Sequence, residues 1–311
     1  MSKNESNAQS KIATARPNII ILLTFLVFYL SFNGFIPSLT ILIFDGVAND
    51  MVLNMLRGLE ISSLLLLLYF LITKRSSKSV LSISPLGLKN GWYVAVMSIV
   101  LFLIAYISML SLMLFIDTAT DSIFFQEAMR WRLSSTFWLS IFTVGLLMIP
   151  IKELLLRVAV YDEYRKQGVD IKKITIMVGT FYGLVLSGLI LSEPGNIIFN
   201  VGWGIWATYA LHYTSSIWAP ILARIIFDSL MRLLNPVYHV DSYVELRNIL
   251  ATYLIIAGVV LLVLIPVASI CWKKLIVNNP LPEGESAVES KAFTNSFWAV
   301  ITVMVVLTVL I

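Results

Sequence analysis

The chain has 311 residues, 59% of them hydrophobic and only 13% charged, a make-up that excludes an ordinary soluble domain and fits a polytopic membrane protein. One cysteine, Cys271, rules out an internal disulfide and a cysteine-based metal cage, and two histidines, His212 and His239, leave almost nothing for a histidine-based one. The formal net charge of +4 comes with no nucleic-acid motif, and its distribution along the chain reports orientation rather than partners.

Residues 1–17 form a polar tail carrying Lys3, Lys11 and Arg16. The apolar run 18–44 that follows is too long for the apolar region of a cleaved signal peptide and reads as a retained anchor, with Pro37 kinking it or marking its outer end. After a short acidic loop with Asp45 and Asp50, a second span is expected at 56–72, where Arg57 and Glu60 form an i,i+3 pair. The stretch 73–90 holds Lys74, Arg75, Lys78 and Lys89 without a single acid, so the positive-inside rule makes it cytoplasmic. A third span is expected at 93–116. In 117–135, Ile123, Phe124, Phe125, Met129 and Trp131 mix with Arg130 and Arg132, and two readings stay open: a short helix in the outer interface or a simple loop.

The fourth span runs from 136 to about 157, and the charge-dense stretch 161–173 after it is the second cytoplasmic loop. Spans five, six and seven are expected at 174–191, 197–212 and 217–234, with a tight Pro-Gly turn at 192–196 between the first two. The eighth covers 249–271 and is followed by Lys273 and Lys274. A polar linker at 278–296 precedes an apolar stretch at 297–311; at roughly 1.5 Å per residue that stretch is short for a hydrocarbon core of about 30 Å, yet it is read as a last span. The expectation is therefore an all-α, polytopic transmembrane helix bundle of eight to nine spans. Its N-terminus lies inside, its transmembrane helical domain occupies 18–277, and its outer loops carry Asp45, Asp50, Asp117, Asp121, Glu193, Asp241 and Glu245.

Two groups of charges interrupt this apolar pattern. Lys152, Glu153 and Arg157 close the fourth span, with Glu153 and Arg157 one turn apart on a common helix face. Either they are juxtamembrane groups whose long side chains snorkel to the headgroups, or they form a functional cluster inside the bundle. Arg224 and Asp228 lie one turn apart near the middle of span seven, where an arginine costs about 2.5–3.5 kcal/mol and needs a partner. That partner is Asp228 in a self-contained pair, or else Glu153, with Asp228 completing a network to Lys152 or Arg157. Small residues mark close helix approach: Gly179, Gly183, Ser187 and Gly188 on span five, Gly202 and Gly204 on span six. His212, at the inner end of span six, reads as an interfacial residue.

Taken in order, these residues resemble the CPBP family of intramembrane metalloproteases, which includes CAAX prenyl endopeptidases and bacteriocin-processing or self-immunity (Abi) proteins. Lys152-Glu153-Leu154-Leu155-Leu156-Arg157 is similar to the second Glu and the Arg of the family's Glu-Glu-x-x-x-Arg motif. Phe181-Tyr182-Gly183-Leu184 resembles the opening of Phe-x-x-x-His, with Val185 or Leu186 at the histidine position. Phe199-Asn200-Val201-Gly202 and the run Ser215 to Ala223 resemble the third region, and Arg224-Ile225-Ile226-Phe227-Asp228 stands where His-x-x-x-Asn or Asp is usual. Ser84-Pro85-Leu86-Gly87-Leu88-Lys89 is similar to the element before the family's third span, so the family-like core covers 84–228.

The resemblance implies a zinc site built from Glu and His, and this chain departs from it. Lys152 replaces the first Glu, an aliphatic residue replaces one His, Arg224 replaces the other, and Glu153 alone remains of that set. Positive charge then stands where a cation would sit, which disfavours the metal by Coulomb repulsion. The reading favoured is a degenerate, non-catalytic pseudoprotease without cofactor in the cell membrane, of bacterial plasma-membrane type. It would act as a regulator, scaffold or bacteriocin self-immunity factor on a membrane protein, a cell-wall enzyme or a peptide-export system, and not on nucleic acid. One alternative is an active, zinc-dependent intramembrane endopeptidase with a rearranged site using Glu153 with Asp228, Glu60 or His212. Another is a transporter or lipid-handling protein using the buried charges as a relay, although no broken-helix pair or inverted repeat supports it.

Overall fold

The structure, a computed structural model, describes residues 85–115, 160–166, 169–188, 194–234 and 243–278, together with the single positions 23, 60, 63, 64, 67, 70, 150 and 153. Among the described residues the regular structure is all helical: α1 (Leu88–Phe115), α2 (Val160–Lys166), α3 (Ile171–Gly188), α4 (Pro194–Thr214), α5 (Trp218–Leu233) and α6 (Tyr243–Asn278).

The helix starts follow from local chemistry. The Gly87 carbonyl accepts the Gly91 N–H at 2.9 Å, so Gly87 caps α1 directly after Pro85 and Leu86. Asp170, a favoured residue type at an N-cap, accepts the Ile174 N–H through its carbonyl at 2.9 Å and opens α3. Pro194 is the first residue of α4, the position where its missing N–H costs nothing, so the last three residues of the expected 192–196 turn belong to the helix. Three residues connect α4 to α5. Ser215 takes the left-handed conformation (φ 49°), the Thr214 hydroxyl bonds back to the Ala210 carbonyl at 2.6 Å, and the Ala219 N–H reaches the Ser216 carbonyl at 3.1 Å.

The chain divides into two compact units. The first comprises Met1–Ser84, Pro150–Pro220 and Leu281–Ile311; the second comprises Pro85–Ile149 and Ile221–Pro280.

In the first unit α3 packs along α4, and α2 packs on α3. Ile174, Met177 and Val178 are buried on one helix, Trp203, Trp206, Ala207 and Ala210 on the other. Gly179 lets the two backbones approach. A Cβ there would stand 2.5 Å from the Ile205 Cγ1, 2.9 Å from the Ile205 backbone nitrogen and 3.2 Å from the Val201 carbonyl oxygen. Gly204 is also buried, but Gly202 is not part of a tight contact among the described residues: a Cβ there meets nothing within 4 Å.

In the second unit α1 runs antiparallel to α6. Val96 and Val100 meet Ala268 and Cys271, with Tyr93, Met97, Leu261 and Leu264 packed around them. The fully buried Phe102 stacks on Tyr106 (centroids 5.2 Å apart) and meets the edge of Phe227 at 5.7 Å, and the Tyr106 hydroxyl donates to the Leu234 carbonyl, which fastens α5 to α1.

Two segments, Leu88–Ser108 and Asn248–Asn278, are long and apolar enough to cross a membrane by length and composition. They correspond to the expected third and eighth spans. Helices α3, α4 and α5, with 18, 21 and 16 residues, stand where spans five to seven were expected. The first, second, fourth and ninth spans, the 117–135 connection and the 278–296 linker lie wholly or almost wholly outside the described residues. Hydroxyls within the helices bond to the carbonyl four residues earlier, as Ser98 does to Val94 (2.7 Å), Thr208 to Gly204 (2.8 Å) and Ser269 to Ile265 (3.0 Å). They thereby satisfy themselves without water.

The structure changes two expectations. The stretch 161–173 is not simply a loop: it contains α2 and the first turn of α3. The eighth span does not stop before Lys273 and Lys274; α6 continues through both lysines to Asn278, because lysine is a good helix former and both side chains are exposed.

Candidate functional site

Of the five residues that carry the motif resemblance, the structure describes three. Glu153 occupies a helical position in the first unit and is completely buried, at 0% exposure. Lys152 and Arg157 lie outside the described residues. Arg224 and Asp228 belong to the second unit, one turn apart on α5. Glu60, an alternative acid, is helical and half-buried.

The α-helical repeat brings Arg224 and Asp228 onto one face, and they pair directly: Nε lies 2.9 Å from Oδ1, with both side chains mostly covered (15% and 18% exposed). The guanidinium also stands over the Phe227 ring, 5.5 Å from its centroid. The pair is therefore charge-compensated within one helix, and Asp228 spends an oxygen on a cation.

The first unit holds a polar pair of which the sequence singled out one member, His212. His212, near the end of α4, is buried, and its Nδ1 lies 2.5 Å from the hydroxyl of the equally buried Tyr161 on α2. Either the phenol donates to Nδ1 or the Nδ1–H donates to the phenol oxygen, according to the ring tautomer. The Tyr161 ring meets the imidazole edge-on, as does Tyr213 at 5.4 Å between centroids. Glu163 and Tyr164, also on α2, are buried as well, and burial pushes the Tyr164 phenol above its ordinary value. In the sequence, His212 was visible as one of only two histidines. Its tyrosine partner was not, because 51 residues separate them.

A hydrolytic zinc takes about three protein ligands of the His, Glu, Asp or Cys type and an open position. Among the described residues no three such side chains converge. At the position where the resembled motif places a ligand stands Arg224, which holds the neighbouring carboxylate at 2.9 Å. Among the described residues, the Arg224–Asp228 pair does not supply such a donor set.

Comparison with known proteins identifies residues 133–230 by their match to a family model described as Type II CAAX prenyl endopeptidase Rce1-like. The matched segment spans both charge groups, from Lys152 to Asp228. No curated protein and no solved structure matches the chain.

Proposed function

We propose that this chain, which is similar through residues 133–230 to the CAAX prenyl endopeptidase family, is a membrane protein that keeps that family's helical framework without zinc proteolysis. It acts instead by binding another membrane or cell-wall protein, as a regulator, scaffold or bacteriocin self-immunity factor. One observation carries this reading: the pairing of Arg224 with Asp228 at the motif position where the family presents a histidine and an Asn or Asp. A permanent cation there takes over the electrostatic role of the metal, and its carboxylate partner is already engaged. In this reading the protein is multi-pass in a bacterial plasma membrane, with its N-terminus inside and eight or nine spans.

The burial of Glu153 and of the Tyr161–His212 pair favours a second reading, an active intramembrane endopeptidase with an atypical site. Metal content separates the two. Detergent-purified protein and its Glu153→Ala variant would be assayed for zinc and for cleavage of a prenylated CAAX peptide. The non-catalytic reading expects no stoichiometric zinc and no cleavage in either protein, with the variant less stable than the parent. Zinc near one per chain that vanishes in the variant, together with peptide cleavage, overturns it. Crosslinking in membranes then identifies the partner.

A further inference from the structure

At one end of the α1–α6 pair, residues far apart in sequence line a single cavity of about 580 Å³: Leu88, Lys89, Trp92 and Tyr93 from the first turns of α1, Lys274 and Asn278 from the end of α6. All six belong to the second unit. None is acidic, so two ammonium groups face one concavity without a carboxylate in its wall. The remaining wall is an indole, a phenol, a carboxamide and a leucine, and Leu88 and Trp92 are largely exposed, at 95% and 64%.

Position gives these groups a ligand class. Both helices carry the segments long and apolar enough to cross a membrane, and the cavity sits where Leu88–Ser108 begins and Asn248–Asn278 ends. Trp and Tyr concentrate at the headgroup level, and lysines there attract anionic lipid. A general excess of cytoplasmic lysine accounts for scattered basic residues. It does not account for two lysines brought from separate helices onto one cavity beside an indole, with a carboxamide donor within the same wall.

We propose that this cavity binds the phosphodiester headgroup of an anionic glycerophospholipid, with Lys89 and Lys274 on the phosphate, Asn278 on the glycerol portion, and Trp92 and Leu88 against the upper acyl chain. The site is independent of the protease question, since it uses none of the charged residues Lys152, Glu153, Arg157, Arg224 and Asp228.

The test compares retention of phosphatidylglycerol and phosphatidylcholine with identical acyl chains on the detergent-purified full chain, read by native mass spectrometry. Wild type is expected to prefer phosphatidylglycerol. Lys89→Ala with Lys274→Ala should reduce that preference by about twenty-five-fold, on the order of fivefold for each lysine. Lys172→Ala with Lys173→Ala, which removes two basic residues at the start of α3, should leave it unchanged, and Lys89→Arg with Lys274→Arg should retain most of it. The proposal is overturned if the Lys172/Lys173 variant loses as much preference as the Lys89/Lys274 variant, since the effect would then be bulk charge. It is equally overturned if the Lys89/Lys274 variant only melts earlier with its lipid preference intact, or if inorganic phosphate binds there and the lipid does not.

Discussion

Arg224 and Asp228 form a charge pair within a single helix, Nε to Oδ1 at 2.9 Å, with the guanidinium also lying over Phe227. Removing one partner leaves an uncompensated charge, whereas replacing both with apolar residues removes the desolvation cost along with the attraction. Asp228→Asn is therefore expected to destabilise the protein by about 3 kcal/mol, while Arg224→Met with Asp228→Leu stays close to wild type. Thermal unfolding in detergent checks this; equal losses in the two variants would mean that the pair is not compensated within α5. Arg224→His, which supplies a ligand but removes the balancing charge, is expected to lower stability without gaining bound zinc.

Helix packing offers a sharp contrast between two glycines. At Gly179 an added methyl collides with the Ile205 side chain and backbone nitrogen, so Gly179→Ala should cost about 1–3 kcal/mol. At Gly202 the same methyl meets nothing within 4 Å, and the better helix propensity of alanine should make Gly202→Ala neutral or stabilising by up to about 1 kcal/mol. Midpoints of thermal unfolding for the two variants should move apart; a parallel shift would contradict the close approach of α3 and α4.

Tyr161→Phe removes the hydroxyl from His212 Nδ1 and leaves a buried ring nitrogen short of its bond. The expected cost is about 1–3 kcal/mol, and pairing Tyr161→Phe with His212→Leu should recover part of it, because both polar groups are then gone. A double-mutant cycle on unfolding free energies measures the coupling. Strict additivity would show that the two side chains do not depend on each other.

Alkaline pH should weaken the fold through Tyr164. Burial raises its phenol above the ordinary value of 10.0. Once the pH passes about 10, the unfolded chain releases a proton that the folded chain still holds, so stability falls with a slope of up to about 1.4 kcal/mol per pH unit from this group. Below that range the group is neutral in both states and contributes no slope. Tyr164→Phe should flatten this part of the pH–stability curve, and an unchanged alkaline slope would assign the loss to other groups.

How much of this was legible in advance depended on the range of the interaction involved. The Arg224–Asp228 pair could be proposed because four residues make one turn, and the competing link to Glu153 could not be weighed because it depends on how distant segments pack. Gly179 and Gly202 looked alike in sequence, since a small residue signals close approach only if another helix actually faces it. The 161–173 stretch read as a loop because it is short and dense in charge, and the partner of Tyr161, His212 on α4, lies far along the chain.

By itself the sequence determined that the chain is helical and apolar enough for a membrane, where α1 and α3 to α6 lie to within a few residues of their ends (α6 apart), and the family resemblance over the segment that the comparison then matched. These are properties of local composition, periodicity and motif order. Only the tertiary structure decided that His212 is buried against Tyr161, that Gly179 rather than Gly202 admits a neighbouring backbone, and that Lys89 and Lys274 share one cavity. Each of these joins residues from different helices, and a side chain's partner across such a distance is set by packing, which no local pattern encodes.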